Sequence, residues 1–345
     1  MSCIYVFCPS YIVSGGPEAL HQMVYYLNKI GADACLVYCD LFSKKYEIPE
    51  SYKAYVKDYK LVSEVTDDDE NVIILPETLN FYIKKYNKAK VYVWWLGIGN
   101  NLKAKSNLVT SKLKNRKKMV STLKKKNKIL NILHFIQYKR YCFENEKQNV
   151  SHLCASHYVC DYVKKHTKNK IYMCIEPVSL WLLQSTNIGM KEGNNYSDTV
   201  LYNPARNPEF IAKIQEYCSE ISFLPLSGYE QSKLVELFQK SKLYVDFGLF
   251  PGAERIPKEA VMNGCCVLTS RSGAAAFYQD VSIPDKYKFD ACEENIPVIT
   301  NMILDMLSNY DTYSRDFDDY RKMVYALEEN FITALKNIFE EWINK

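Results

Sequence analysis

The sequence predicts an α/β protein made of two doubly wound, parallel-sheet domains facing a cleft. Three observations carry that expectation. At 345 residues the chain is longer than one hydrophobic core usually serves. Short apolar segments alternate with helical patterns along most of it, as in a parallel sheet covered on both faces. A polar run at 185–198 separates one such set from a second.

Ile4 to Cys8 is a short apolar run and reads as the first strand. Ser14, Gly15, Gly16 and Pro17 make a turn, after which Leu20, Met23, Val24 and Leu27 recur at helical spacing. Gly31 stops the helix, and Ala34 to Tyr38 reads as a second strand. The unit repeats with a strand at Val72 to Leu75, a helix over Glu77 to Asn87 and a strand at Val91 to Leu96. Beyond a basic stretch, His152 to Ala155 reads as a short strand and Tyr158 to Lys165 as a helix, while Ile171 to Ile175 leads into Glu176, Pro177 and Val178.

The second set opens with a strand at Thr199 to Tyr202 and a helix over Pro208 to Cys218. A strand at Ser222 to Leu224, a helix over Tyr229 to Lys240 and a strand at Leu243 to Phe247 follow. A helix over Pro257 to Asn263 and a strand at Cys265 to Thr269 complete the alternation, and helices close the chain near Ile299 to Leu307 and Tyr313 to Trp342. These elements predict an N-terminal domain over 1–184 with a basic insertion at 101–143, a linker at 185–198 and a C-terminal domain over 199–325. The last helix, 326–345, is a candidate to pack back on the N-terminal domain. In such sheets the functional loops leave the C-terminal ends of the strands.

Composition narrows the function. With 48% hydrophobic and 24% charged residues the chain is a globular protein, not a disordered one. Its first residues lack the basic start and long apolar run of a signal peptide, and no apolar run reaches membrane-spanning length, so a cytoplasmic protein is expected. The 12 cysteines lie mostly in apolar segments and form no C-x-x-C pair, which predicts buried thiols and no metal site. Net charge is only +4, yet Asn101 to Phe143 contains many lysines and arginines and no acidic residue. Lys124, Lys125, Lys126 and Lys128 precede the apolar Ile129, Leu130, Ile132 and Leu133, a pattern suited to an anionic membrane surface through 103–140 and equally to a solvated loop. Nucleic acid is set aside, because the segment has no recognised nucleic-acid motif.

The stretch from Phe250 to Thr269 holds most of the candidate chemistry. Gly252 lies in a strand-end loop that feeds a helix with Pro257 in its first turn, leaving backbone N–H groups free to face an anion. Arg255 and Lys258 are placed for charge-assisted contacts to a donor diphosphate, and Glu259 has two oxygens for the two hydroxyls of a ribose. A capped surface helix with solvated charges is the alternative reading of the same residues. Trp94 and Trp95 end a strand and suit either a sugar face or the core. None of His21, His134, His152 and His157 shows a partner in the sequence that would single it out as a general base.

The run from Tyr229 to Gly273 resembles the donor-binding half of family 4 and related GT-B glycosyltransferases of capsule, O-antigen and glycan assembly. The shared order is a Gly-containing loop, a helix with a donor-contacting glutamate, then a small residue with Gly, a strand and Gly. Ser14 to Glu18 resembles the family's glycine turn, which places Gly15 and Gly16 near donor and acceptor phosphates. By the same resemblance Arg206, in the loop after the first strand of the C-terminal domain, grips the diphosphate, and Tyr229 stacks near the base. The family's E-x7-E pattern departs here, since Pro251 stands where the first glutamate belongs. Glu259 keeps the second place, and Glu254 is the nearest substitute for the first at a different spacing.

The resemblance implies a GT-B fold of two Rossmann-like domains and a metal-independent hexosyl or related sugar transfer to a glycan or lipid-linked glycan acceptor. It implies a nucleotide-sugar donor, a UDP-sugar ahead of a GDP- or CMP-sugar, and no further cofactor. A nucleotide-sugar epimerase of the same fold and a non-catalytic glycan-binding or assembly protein are the alternatives, since one fold serves many reactions.

Overall fold

The computed structural model describes residues 2–10, 13–39, 46–99, 141–185 and 197–343. Most of the basic insertion, with its lysine cluster and His134, lies outside the described residues, as does most of the linker.

The chain divides into two compact units. The first comprises residues 1–155, 159–174 and 332–345. Its strands are β1 (Ile4–Pro9), β2 (Ala34–Cys39), β3 (Lys60–Leu61), β4 (Val72–Pro76), β5 (Lys90–Trp95), β6 (Val150–Cys154) and β7 (Ile171–Met173). They form one sheet in the order β3-β2-β1-β4-β5-β6-β7, with every pairing parallel. Strands β1 and β4 are buried along their whole length, which explains their unbroken apolar runs, since a strand covered on both faces has no side to give to water. Helix α1 (Gly15–Lys29) connects β1 to β2, and Gly31, at φ 94°, takes the left-handed conformation just past its end. Helix α2 (His157–Lys164) follows β6.

The second unit comprises residues 156–158 and 175–331. It holds α3 (Leu180–Ser185), β8 (Ser197–Tyr202), α4 (Pro208–Tyr217), β9 (Phe223–Pro225), α5 (Gln231–Lys240), β10 (Ser241–Asp246), α6 (Arg255–Met262), β11 (Cys266–Ser270) and β12 (Lys288–Phe289). Four more helices, α7 (Ile296–Ser308), α8 (Tyr310–Ser314), α9 (Asp318–Tyr325) and α10 (Leu327–Ile338), follow. The sheet order β12-β11-β10-β8-β9 is again parallel throughout. Val200, Leu201, Leu243, Tyr244, Val245, Val267 and Leu268 are fully buried at its centre.

Several elements differ from the sequence expectation. The boundary between units falls at 174/175, ahead of the polar run, because Val178 and Leu182 are buried with the core of the second unit. Residues Glu77–Lys85 form a 3-10 helix interrupted at Leu79, not an α-helix. The Asn80 side chain takes the Glu77 carbonyl (2.8 Å), a local bond that competes with the helical ladder. The long closing helix is three helices with tight turns between them; Phe317, Tyr320, Val324, Leu327 and Phe331 stay buried across the breaks, so the apolar spacing hides them. Residues 332–345 return to the first unit, where Phe339 meets the Tyr92 ring at 5.2 Å and the Trp342 indole donates to the Glu70 carbonyl (2.7 Å).

Candidate functional site

Strands β8, β10 and β11 lie side by side in the second sheet, so the loops leaving their C-terminal ends gather at one edge. Arg206 stands in the first of these loops, one residue before Asn207, whose left-handed backbone (φ 45°) starts α4. Its guanidinium is held from three directions. Nη1 donates to the Leu249 carbonyl (2.5 Å), Nη2 pairs with Glu254, and Nε faces Asp246 Oδ2 at 3.8 Å. The Phe250 ring lies 5.4 Å beneath it.

Asp246 closes β10 and is itself fixed, accepting the Gly248 N–H (3.1 Å) and the Tyr244 hydroxyl (3.0 Å). Burial raises the pKa of Asp246 and of Glu254, with Arg206 opposing the rise in both. Burial works against the Arg206 cation, and Glu254 with Asp246 more than offsets it.

The loop after β10 is pinned to the loop after β11. Ala274 N–H donates to the Phe250 carbonyl (2.9 Å), and Phe250 N–H donates to Ser272 (3.2 Å). Gly273 makes this approach possible: its φ is 69°, and a Cβ there would sit 2.1 Å from the Phe250 carbonyl oxygen. Gly248 is confined by the arginine, since its Cβ would meet Arg206 Cβ at 2.7 Å.

Helix α6 starts from Glu254 as N-cap, with Pro257 in its first turn, where a missing N–H costs nothing. Its first turn carries the second charged group. Lys258 is 3% exposed, and its Nζ has no hydrogen-bond partner among the described residues. Burial lowers its pKa, and Glu176 pulls the other way. Glu176 is buried as well; burial raises its pKa, with Lys258 the main opposing charge. The Arg255 guanidinium donates to Ser179 Oγ, and Glu259 is buried at 7% exposure.

The structure therefore brings Arg206, Gly252, Glu254, Arg255, Lys258 and Glu259 into one unit, on the loops and the helix start at the C-terminal edge of its sheet. Tyr229 is partly exposed beside Gly228 (φ 77°), just before α5. Gly15 and Gly16 belong to the other unit, at the first turn of α1, and neither takes a left-handed φ. There the Tyr52 hydroxyl donates to the Ser14 carbonyl and accepts the Ser14 N–H, both at 2.9 Å.

Other sequence candidates are occupied elsewhere. Trp94 and Trp95 are fully buried, with their indole N–H groups donated to the Cys174 carbonyl and His152 Nδ1, both at 3.0 Å, so the core reading applies to them and not the sugar face. Each described histidine has a structural partner. His21 bridges the Pro17 carbonyl (2.7 Å) and the Tyr38 hydroxyl (3.0 Å), His152 lies 3.0 Å from Glu146, His157 lies 3.1 Å from Asp280, and His166 meets the Tyr162 carbonyl (2.7 Å). Asp246, Glu176 and Gly248 escape the sequence reading. Their signal is an acidic residue at the end of an apolar strand, an acidic residue among apolar neighbours, and a glycine straight after a strand.

No protein-family model matches the chain, and no curated protein matches it. Solved structures do. Sucrose-phosphate synthase from Thermosynechococcus elongatus superposes with a TM-score of 0.59 at 12% identity, covering 99% of each chain. A glycosyltransferase from Rickettsia africae matches at 0.55 and 12% identity over 100% of this chain and 99% of its own. The E. coli trehalose-6-phosphate synthase bound with UDP-2-fluoro glucose matches at 0.55 and 7% identity over the same shares. The chain thus has the fold of these GT-B glycosyltransferases, two Rossmann-like domains each built on a parallel sheet.

Proposed function

We propose that the protein is a glycosyltransferase that moves a sugar, a hexose or a related one, from a nucleotide donor to a glycan or lipid-linked glycan acceptor of surface polysaccharide or glycoconjugate synthesis. The observation that supports this most is the buried ammonium of Lys258 without a hydrogen-bond partner among the described residues, one helical turn into α6 and in the same charge cluster as Arg206. An unpaired buried cation is costly, and a diphosphate supplies the missing partner. The start of α6 adds the positive end of the helix dipole.

In this reading the second domain takes the donor. Arg206, Arg255 and Lys258 stabilise the negative charge that collects on the leaving diphosphate as the bond to the sugar anomeric carbon breaks. Glu259 accepts hydrogen bonds from the ribose, Tyr229 lies along the base, and the first domain, with Gly15 and Gly16 at its turn, takes the acceptor. A UDP-sugar is the preferred donor, in keeping with the UDP-sugar analogue named for the E. coli neighbour. The basic segment 103–140 holds the protein on an anionic membrane, where a lipid-linked acceptor would be found.

The test is calorimetry with UDP and uridine on the parent and Arg206→Ala. A loss of roughly 1.5–3 kcal/mol for UDP, with uridine unaffected, is expected for a charge-assisted phosphate contact. Equal losses for both ligands remove the phosphate assignment. A dideoxyribose analogue should likewise erase any loss caused by Glu259→Gln, and failure to do so removes the ribose assignment.

A further inference from the structure

The geometry points to Glu254 as an internal competitor for Arg206: its carboxylate holds the guanidinium in place of a diphosphate and must release it when that diphosphate binds. The inference rests on the reading that Arg206 meets the donor phosphates. It concerns what regulates access to that arginine.

Three acceptors surround the guanidinium, and they are not equally fixed. The Leu249 carbonyl belongs to a backbone segment pinned by the Phe250 to Gly273 bridge. Asp246 is 2% exposed at a strand end and is tied down by Gly248 N–H and the Tyr244 hydroxyl. Glu254 has no other hydrogen-bond or ion-pair partner among the described residues, and a fifth of its side chain remains exposed. It stands at the N-cap of α6, yet its side chain makes no capping bond. Of the three acceptors, Glu254 is the one free to leave.

Charge gives it a reason to leave. Arg206 with Asp246 and Glu254 sums to −1 when both carboxylates are ionised, and such a group repels a phosphate. Adding Arg255, Lys258 and Glu176 brings the six groups only to zero. A diphosphate entering this cluster adds two or more negative charges to sites that are mostly buried, where little solvent screens them. Moving the Glu254 carboxylate out to water takes one negative charge away from the arginine and frees its Nη2 for a charge-assisted contact to the phosphate.

A buttressing role predicts the opposite sign. If Glu254 only orients Arg206, removing its charge loosens the arginine and weakens anion binding. If it competes, removing its charge strengthens binding.

The experiment is calorimetric titration of the full chain with inorganic pyrophosphate, UDP and uridine, using Glu254→Gln, Arg206→Ala and the double variant, with circular dichroism to confirm folding. Competition predicts that Glu254→Gln binds pyrophosphate and UDP roughly tenfold more tightly than the parent, with uridine unchanged. It also predicts that this gain disappears in the Arg206→Ala background. Equal or weaker binding by Glu254→Gln overturns the inference, as does a gain that persists undiminished without Arg206, since that is general repulsion. Glu254→Ala must show the same sign, which guards against a fault of the amide alone. A parent whose UDP affinity does not depend on Arg206 instead overturns the donor-site reading, and this inference with it.

Discussion

Gly273→Ala tests whether the loops around Arg206 are built as argued. At φ 69° and ψ −138° the residue sits in a region that only glycine occupies readily, at a cost of about 1–3 kcal/mol for any other side chain. The new Cβ would lie 2.1 Å from the Phe250 carbonyl oxygen and 2.8 Å from its carbonyl carbon, against 3.4 Å or more for an ordinary contact. Those are backbone atoms, so the loop itself must move by more than 1 Å, and overpacking of this kind costs about 1–3 kcal/mol more. A total near 3 kcal/mol is expected. Hydrogen exchange followed by mass spectrometry reads it domain by domain, and amides of β10 and β11 should open roughly a hundredfold more often while β1 and β4 keep their protection. Because the shifted loop carries the Leu249 carbonyl that Arg206 binds, pyrophosphate affinity should fall as well. An acceleration below about threefold in β10 and β11, or an equal one in both domains, would refute the reasoning.

Acid should weaken the first domain through His21, whose pKa burial pushes down to about 4 from 6.5. The unfolded chain then takes the proton first, so the stability of the neutral imidazole is complete above pH 6.5 and is lost as pH falls towards 4, by about 3 kcal/mol in all. Urea unfolding of parent and His21→Gln at pH 7 and pH 4.5 checks this, and identical pH dependence would exclude His21 as the cause. Replacing Lys124, Lys125, Lys126 and Lys128 with Gln should weaken binding to phosphatidylserine vesicles at low salt, by up to about 1 kcal/mol for each lysine removed. Unchanged vesicle binding takes the membrane role away from that cluster.

Much of the fold was legible because parallel strands buried on both faces write themselves as apolar runs. Ile4 to Cys8, Ala34 to Tyr38 and Leu243 to Phe247 each overlap a strand of the structure to within two residues at either end. Strands β3 and β12 were not legible, since Lys60–Leu61 and Lys288–Phe289 are two residues each and carry no period. The domain boundary misled for a different reason: a polar run marks where the chain meets water, whereas membership of a core is set by what Val178 and Leu182 pack against. At the site, Arg206, Lys258 and Glu259 came from local order along the chain. Their partners did not, because Asp246 reaches Arg206 across 40 residues and Glu176 reaches Lys258 across 82, and charge pairing at that range leaves no local pattern.

The pairing is the reason we propose the second domain, and not the glycine turn of the first, for the donor phosphates. At the turn, Tyr52 satisfies both backbone groups of Ser14, and Glu18 is buried with a Tyr55 hydroxyl donated to it at 2.8 Å. A negative carboxylate within the first turn of α1 already answers the positive end of that helix. The start of α6 is different: its N-cap side chain is turned away to Arg206, and no acidic residue stands in its first turn. The cation buried one turn in, Lys258, has a carboxylate for electrostatic company but no hydrogen bond among the described residues. Folding thus leaves at this end of the sheet a buried ammonium without a hydrogen bond among the described residues, and in the proposed reading an anion supplies the missing acceptor.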